Sequence, residues 1–364
     1  MRNYRIACIP GDGVGPEVIA EGLKVLKAAQ ALCGSFSLHF QEFPWGTDHY
    51  LKAGCMMPPE GLSILASFDA IYLGAVGDPR VPDAVTLHGL LLPIRRGFDQ
   101  YACVRPLYLY PGVSSPLAHK EPGSIDLVVV RENTEGEYAD VGGRIYPGTA
   151  AEVAFQAGVF TRRGTERVIR YAFELARSAG RRRKVTSITK SNAQRYGMVF
   201  WDEVFYEVAR DYPEVQVESQ LVDAACMNFV RKPETFDVVV ASNLFGDILT
   251  DLGAIVVGGL GLAASANLDP TRNHPSMFEP THGSAPDIAG KGWANPLGSI
   301  LAAAMMLDFL GEEGASSRIR QAVAEALRRG RVLTRDLGGS ASTSQMGDEV
   351  VRCLGEKRGE GANG

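Results

Sequence analysis

The sequence predicts an α/β protein, and three observations carry that reading. β-rich runs alternate with helical patterns along nearly the whole chain, several of the runs are apolar enough to be buried on both faces, and Gly or Pro stands near the ends of the helical patterns. In chain order the runs are YRIACI, FSLHF, DAIYLGA, IDLVVVRE, KVTSITK, VQVESQLVD and FDVVVASN. Between them, residues 16 to 32, 165 to 179, 197 to 211, 295 to 310 and 316 to 329 place apolar side chains at helical spacing. ASNLFGDILTDLG, directly after the last run, begins a further helix. Residues 139 to 164 interrupt the alternation with glycines and a short β-like run, which reads as an arm or a lid. There are no internal repeats, and only the tail EKRGEGANG has the composition of a disordered segment.

A chain of 364 residues, 45% hydrophobic and 22% charged, suits one large globular unit or two domains. The formal charge of -5 gives no footprint for nucleic acid, and the basic run Arg181 to Lys184 reads as a solvated turn. No apolar stretch approaches the ~20 residues of a membrane helix, and the N-terminus enters a strand with no signal-peptide core. A cytoplasmic protein without membrane or nucleic-acid partners is therefore expected. Six widely spaced cysteines with no CxxC exclude a disulfide framework and read as reduced structural thiols.

Polar chemistry collects at a few places. Asp247 and Asp251 stand four residues apart, so they project from one helical face, one turn apart, among apolar neighbours. Two carboxylates so close repel each other unless a cation lies between them, and oxygen ligation of this kind holds Mg²⁺ or Mn²⁺. A plain solvent-facing pair is the alternative. Strand ends are where open α/β sheets bind ligands, and Arg131, Lys190, Asn192 and Asp223 follow or end such runs. Arg95 and Arg105 flank RRGFDQYACVRP, and a planar guanidinium can bind both oxygens of a carboxylate. Together these point to a small substrate with more than one carboxylate. PGDGVGPE does not fit the G-x-G-x-x-G dinucleotide fingerprint. EPTHGSAPDIAGKGWANP is more informative, because a loop with a His-Gly-Ser cluster, Asp287 and Asn295 can wrap a nucleotide while its acid accepts both ribose hydroxyls.

Taken together, IPGDGVGPE, LLLPIRRGFDQYACVRP, VVVRENTEGEY, TKSNA, VD, NLFGDILTDLG, SANL and EPTHGSAPDIAGKGWANP resemble the β-decarboxylating dehydrogenases. That family includes isocitrate, 3-isopropylmalate, homoisocitrate and tartrate/D-malate dehydrogenases. FPWGTDHY, FDQY, ENTEGEY, SNLFGDIL and SMFEPTHGSAPDI are most similar to the tartrate/D-malate group. The resemblance implies a two-domain α/β fold of the isocitrate/isopropylmalate dehydrogenase kind, not a standard Rossmann fold. Residues 1–105 and 258–364 would form the larger, cofactor-binding domain, and 106–257 the smaller one, with a dimer arm at 139–164.

The resemblance also implies an NAD-dependent and metal-dependent oxidation, with decarboxylation, of a small 2-hydroxy dicarboxylic acid in a homodimer with shared sites. Mg²⁺ or Mn²⁺ would be held by Asp247 and Asp251 of one subunit and Asp223 of the other, with K⁺ as an optional further ion. Arg95, Arg105 and Arg131 would bind carboxylates, Lys190 of the partner subunit would assist deprotonation of the hydroxyl, and Tyr138 would protonate the enol. The cofactor would meet Asn192, Glu279, His282, Gly283, Ser284, Ala285, Asp287 and Asn295, and no basic pair follows Asp287 to receive a 2′-phosphate. His88, Leu91 and Leu92 would face the C3 substituent. His88 departs from the Trp usual in the tartrate/D-malate group and Ala264 from the Pro before SANL, while Leu91 and Leu92 keep isopropylmalate as the alternative substrate. A non-catalytic regulatory subunit of the same fold is the alternative of another class.

Overall fold

The computed structural model describes residues 1–356; of the tail EKRGEGANG, read as disordered, all but Glu356 lies outside the described residues. Its strands are β1 (Arg2–Gly11), β2 (Phe36–Glu42), β3 (Ala70–Ala75), β4 (Ala102–Tyr108), β5 (Asp126–Glu132), β6 (Gly136–Ile145), β7 (Val153–Val159), β8 (Lys184–Thr189), β9 (Gln216–Leu221), β10 (Val238–Ala241), β11 (Ala264–Leu268) and β12 (Ser276–Pro280). The helices are α1 (Gly15–Cys33), α2 (Thr47–Ala53), α3 (Gly61–Leu65), α4 (Asp83–Thr86), α5 (Leu92–Gly97), α6 (Arg162–Arg177), α7 (Gly197–Ala209), α8 (Val222–Arg231), α9 (Asn243–Val256), α10 (Leu297–Phe309), α11 (Glu313–Arg329) and α12 (Thr343–Gly355).

Ten strands form one mixed sheet in the order β2-β1-β3-β12-β11-β4-β5-β10-β8-β9. Both flanks are parallel, and three antiparallel pairings, β12 with β11, β11 with β4 and β4 with β5, lie between them. Strands from both chain ends build one flank and strands from the middle the other, so the sheet is continuous across the expected domain division. The proposed boundary at 105/106 falls inside β4. β6 and β7 leave the sheet as an exposed antiparallel hairpin.

Every β run read from sequence is a strand, with one correction. VQVESQLVD stops pairing at Leu221, and Asp223 lies in the first turn of α8 rather than at a strand end. No apolar run in the sequence marks β4, β11 or β12. They are buried, yet they carry Arg105, Ser265, Asn267 and Glu279, so they lack the apolar signature of the flanking strands.

Candidate active site

Sheet register explains why the polar side chains of β4, β5, β11 and β12 meet. Directly opposed residues point to the same face and alternate along each strand. Glu279 opposes Ser265, Asn267 opposes Cys103, and Cys103 opposes Arg131. Glu279, Ser265, Asn267, Arg105 and Arg131 therefore share one face. Val104, Ala266 and Phe278 are on the other, where they help to line an apolar cavity of about 660 Å³.

On the polar face, Arg95, Arg105 and Arg131 converge on a cavity of about 360 Å³, together with Tyr138, Asp247, Glu279, His282 and Gly283. All three guanidiniums are buried. Burying a charge costs far more than burying an amide unless it is paired, and each arginine is paired. Arg95 Nη2 donates to Glu279 Oε1 at 2.8 Å, an oxygen that also accepts from Asn267 Nδ2 at 2.8 Å. Arg131 forms an ion pair with Asp247 and donates through Nε and Nη2 to Asn243 Oδ1 at 3.1 and 2.7 Å. Arg105 Nη1 donates to Thr250 Oγ1 at 2.6 Å and lies 3.6 Å from Asp247.

α9 supplies the facing carboxylates. Its start is fastened to β6, because Glu137 accepts from Ser242 Oγ at 2.8 Å and from the Leu244 amide at 3.1 Å. The next residue, Tyr138, donates its hydroxyl to Asp247 Oδ2 at 3.0 Å, with the Arg131 guanidinium 5.3 Å from its ring centre. Burial raises the Asp247 carboxyl, but Arg131 and Arg105 outweigh it and hold the group below the usual carboxylate range. Asp251 moves the opposite way: loss of hydration raises it, Arg105 pulls it down and Asp247 pushes it up, with a net rise. Burial and then the Asp247 charge lift the Tyr138 phenol above its ordinary value, so it keeps its proton through neutral pH.

Leu87, Leu91 and Leu92 form the apolar wall. They lie on and beside a single π turn, Leu87–Leu91, between α4 and α5, and such one-residue expansions recur at functional sites. His88 is turned away from the cavity lining, with Nδ1 3.6 Å from Asp140 on the hairpin.

Thr281, His282 and Gly283 line the cavity, and the loop continues through Ala285, Ile288 and Ala289, which pack against Val14, Val18 and Ala294. Thr281 Oγ1 and His282 Nε2 are buried without a hydrogen-bond partner, and Arg95 Nε is likewise buried and unpartnered. Unmatched polar atoms gathered at one cavity suit a polar ligand. Burial keeps the His282 imidazole neutral by lowering its pKa. Ala285 adopts φ 41°, a left-handed conformation costly for a residue with a Cβ. Ser284 is buried and Asp287 exposed. Lys291 follows Asp287 but donates to that residue's carbonyl at 2.8 Å. Asn295 is engaged at both ends of its amide, with Asp336 and the Leu297 amide, at the start of α10.

Lys190, Asn192 and Asp223 lie outside this lining. Lys190 Nζ pairs with Asp223 at 2.8 Å, and that bond holds the exposed Asp223 carboxyl below its ordinary value. Among the described residues no three His, Cys, Asp or Glu side chains converge as a metal cluster. Asp247 lines the cavity, whereas Asp251, one turn further along α9, is exposed and lies outside that lining. The orienting partners Asn243, Thr250 and Asn267 were missed from sequence. Asn243 carried a signal, since it stands four residues before Asp247 on the same helical face.

The family model described as isocitrate/isopropylmalate dehydrogenase matches residues 5–350. The chain is 52% identical over 354 residues to a probable tartrate dehydrogenase/decarboxylase from Agrobacterium vitis, covering 97% of this chain and 98% of that protein. It is 52% identical over 361 residues to the decarboxylating D-malate dehydrogenase of Escherichia coli (strain K12), covering 97% and 99%. The crystal structure of isocitrate dehydrogenase from Methylococcus capsulatus superposes with a TM-score of 0.87 at 36% identity, covering 97% of this chain and all of that one.

Proposed function

The chain belongs to the isocitrate/isopropylmalate dehydrogenase family, and we propose that it oxidises tartrate or D-malate with NAD⁺ and a divalent metal ion, with decarboxylation, in a homodimer. The observation that carries this reading is the convergence of three buried arginines on one small cavity that also holds Tyr138 and Asp247. Planar guanidiniums suit a substrate with two carboxylates. The similarity to proteins named for tartrate and D-malate supports the choice of acid.

When bound, NAD⁺ would accept the hydride from C2, and a divalent ion, for which Asp247 and Asp251 would supply oxygen ligands, would provide the positive charge that the C2 oxygen and the loss of CO₂ call for. The chain's own side chains do the rest. Arg95, Arg105 and Arg131 fix the carboxylates and so orient the C2 hydrogen. Tyr138, which keeps its proton at neutral pH, delivers it to the enol carbon. Thr281 and His282 offer the cofactor their unmatched polar atoms, and Asp287 is free to accept the ribose hydroxyls.

The remaining groups come from a second copy. Asp223 of the partner subunit would complete the metal's donors, and Lys190 of the partner subunit would take the hydroxyl proton. Exposed apolar side chains support the dimer: Ile248 and Ile255 on α9, Met227 and Val230 on α8, and Tyr146 and Phe155 on the hairpin. Apolar faces of this kind mark protein interfaces.

The test is NADH formation with D-malate, the tartrate isomers, 3-isopropylmalate and isocitrate, with and without Mn²⁺. D-malate and a tartrate isomer should be turned over, 3-isopropylmalate more weakly and isocitrate hardly at all, because its third carboxylate would be desolvated against Leu91 and Leu92. A kcat/KM tenfold higher for isopropylmalate, about 1.4 kcal/mol, would replace this reading with the alternative. No metal-dependent NADH formation from any acid would favour the non-catalytic subunit.

A further inference from the structure

Asp12 lies in the turn between β1 and α1, buried and outside the lining of the proposed substrate cavity. Its carboxylate accepts three hydrogen bonds: Oδ1 from the Thr47 amide at 2.7 Å, Oδ2 from Thr47 Oγ1 at 2.9 Å, and Oδ2 from the Gly77 amide at 2.8 Å. Its own amide donates to the Ala75 carbonyl at 2.8 Å. One side chain thus ties the β1–α1 turn to the start of α2 and to the segment after β3, and Gly74 to Gly77 are a wall of the cavity.

The same turn grips the loop on the cavity's other side. The Val14 amide donates to the Ser284 carbonyl at 2.8 Å. Gly13 adopts φ 56°, and a Cβ there would collide with that carbonyl oxygen. Only glycine permits both the backbone conformation and the close approach. Gly77 stands near Ser284 as well, its Cβ position 3.5 Å from Ser284 Oγ.

We infer that Asp12 is a positioning residue that locks the substrate-side segment 74–77 and the cofactor-side loop 281–289 to one turn and so holds the cofactor loop ready for its ligand. The inference rests on the cofactor reading above. An ionised carboxylate is suited to the task, because it accepts several short bonds at once and each is stronger than its neutral counterpart.

Thr47→Val provides the test, since it removes one donor to Asp12 while keeping size and backbone. The probe is NADH, titrated by fluorescence against the full chain, with hydrogen exchange followed in residues 281–289. Thr47→Val should weaken NADH about tenfold, the scale of one hydrogen bond to a charged group, and speed exchange in 281–289. Thr47→Ser should restore both to within about twofold, and Asp12→Asn should exceed the valine variant. Wild-type NADH affinity and wild-type exchange in Thr47→Val would overturn the inference, even if Asp12→Asn fails to fold. Should the unaltered protein bind no NADH, the cofactor reading falls, and exchange in 281–289 alone decides: faster in Thr47→Val supports the positioning role, unchanged refutes it.

Discussion

Asp247 and Asp251 share a helical face but not an environment, and this separates the effects of changing them. The folded pKa of Asp247 lies below its unfolded value, so its ion pairs stabilise the fold fully above the ordinary carboxylate range and are lost as pH falls through the lowered value. Asp251 is raised, so it favours the fold while protonated, and that contribution disappears as pH rises through the raised value. Both Asp→Asn variants should weaken Mn²⁺ in an activity titration. In metal-free protein at pH 7, Asp247→Asn should cost about 1–3 kcal/mol in urea unfolding by leaving Arg131 and Arg105 under-paired, whereas Asp251→Asn should cost nothing or stabilise. Equal losses would mean that the two carboxylates are not electrostatically distinct. Asp287 sets a second expectation: kcat/KM should favour NAD⁺ over NADP⁺, because a ribose 2′-phosphate would meet its carboxylate while Lys291 is already turned to the Asp287 backbone. Equal values would remove Asp287 from the ribose. Asp247 and Asp251 were visible in sequence because helical spacing fixes which residues share a face. The bond from Asn267 to Glu279 was not, because it depends on which strands become neighbours.

At the level of elements, α9 joins two surfaces in one helix. Asn243, Asp247 and Thr250 face the arginines, while Ile248 and Ile255 face outward without cover. If a second copy covers them, assembly and catalysis depend on one rigid body. Ile248→Asp should give a monomer by light scattering that still binds NADH but lacks dehydrogenase activity, since Lys190 and Asp223 of the partner subunit would be absent. A fully active monomer would show that one chain completes its own site. The π turn beside α5 is a local departure of the same importance, turning Leu87, Leu91 and Leu92 to the cavity and His88 to the hairpin. No helical pattern was read over these residues, which were placed at the substrate only by the family resemblance, so neither the extra residue nor the direction of His88 was legible. The flanking strands were legible from their apolar runs. β11, with Ser265 and Asn267 alternating with alanines, reads as a loop until its neighbours are known.

Over the whole molecule, the antiparallel middle of the sheet separates an arginine-lined cavity from an apolar one, with β4, β5 and β12 lining both. That middle is assembled from distant parts of the chain. β12 inserts between β3 and β11, so the edge of β3 is unpaired until Ser276–Pro280 has been made. Roughly 200 residues separate β3 from β12, and at about 5–20 residues per second a ribosome needs some 10–40 s to supply them. For that interval a newly made chain carries an apolar strand with an open edge, the kind of surface that invites pairing with another chain. Ribosome-stalled chains ending before residue 276 should be cut readily by protease within residues 1–75, and chains long enough to release α10 should be protected there. Protection in the shorter chains would mean that β1, β2 and β3 fold without their later neighbour. The order of synthesis therefore makes the arginine cavity one of the last parts of the protein to take shape, and a growing chain is exposed to misassociation for most of its time on the ribosome.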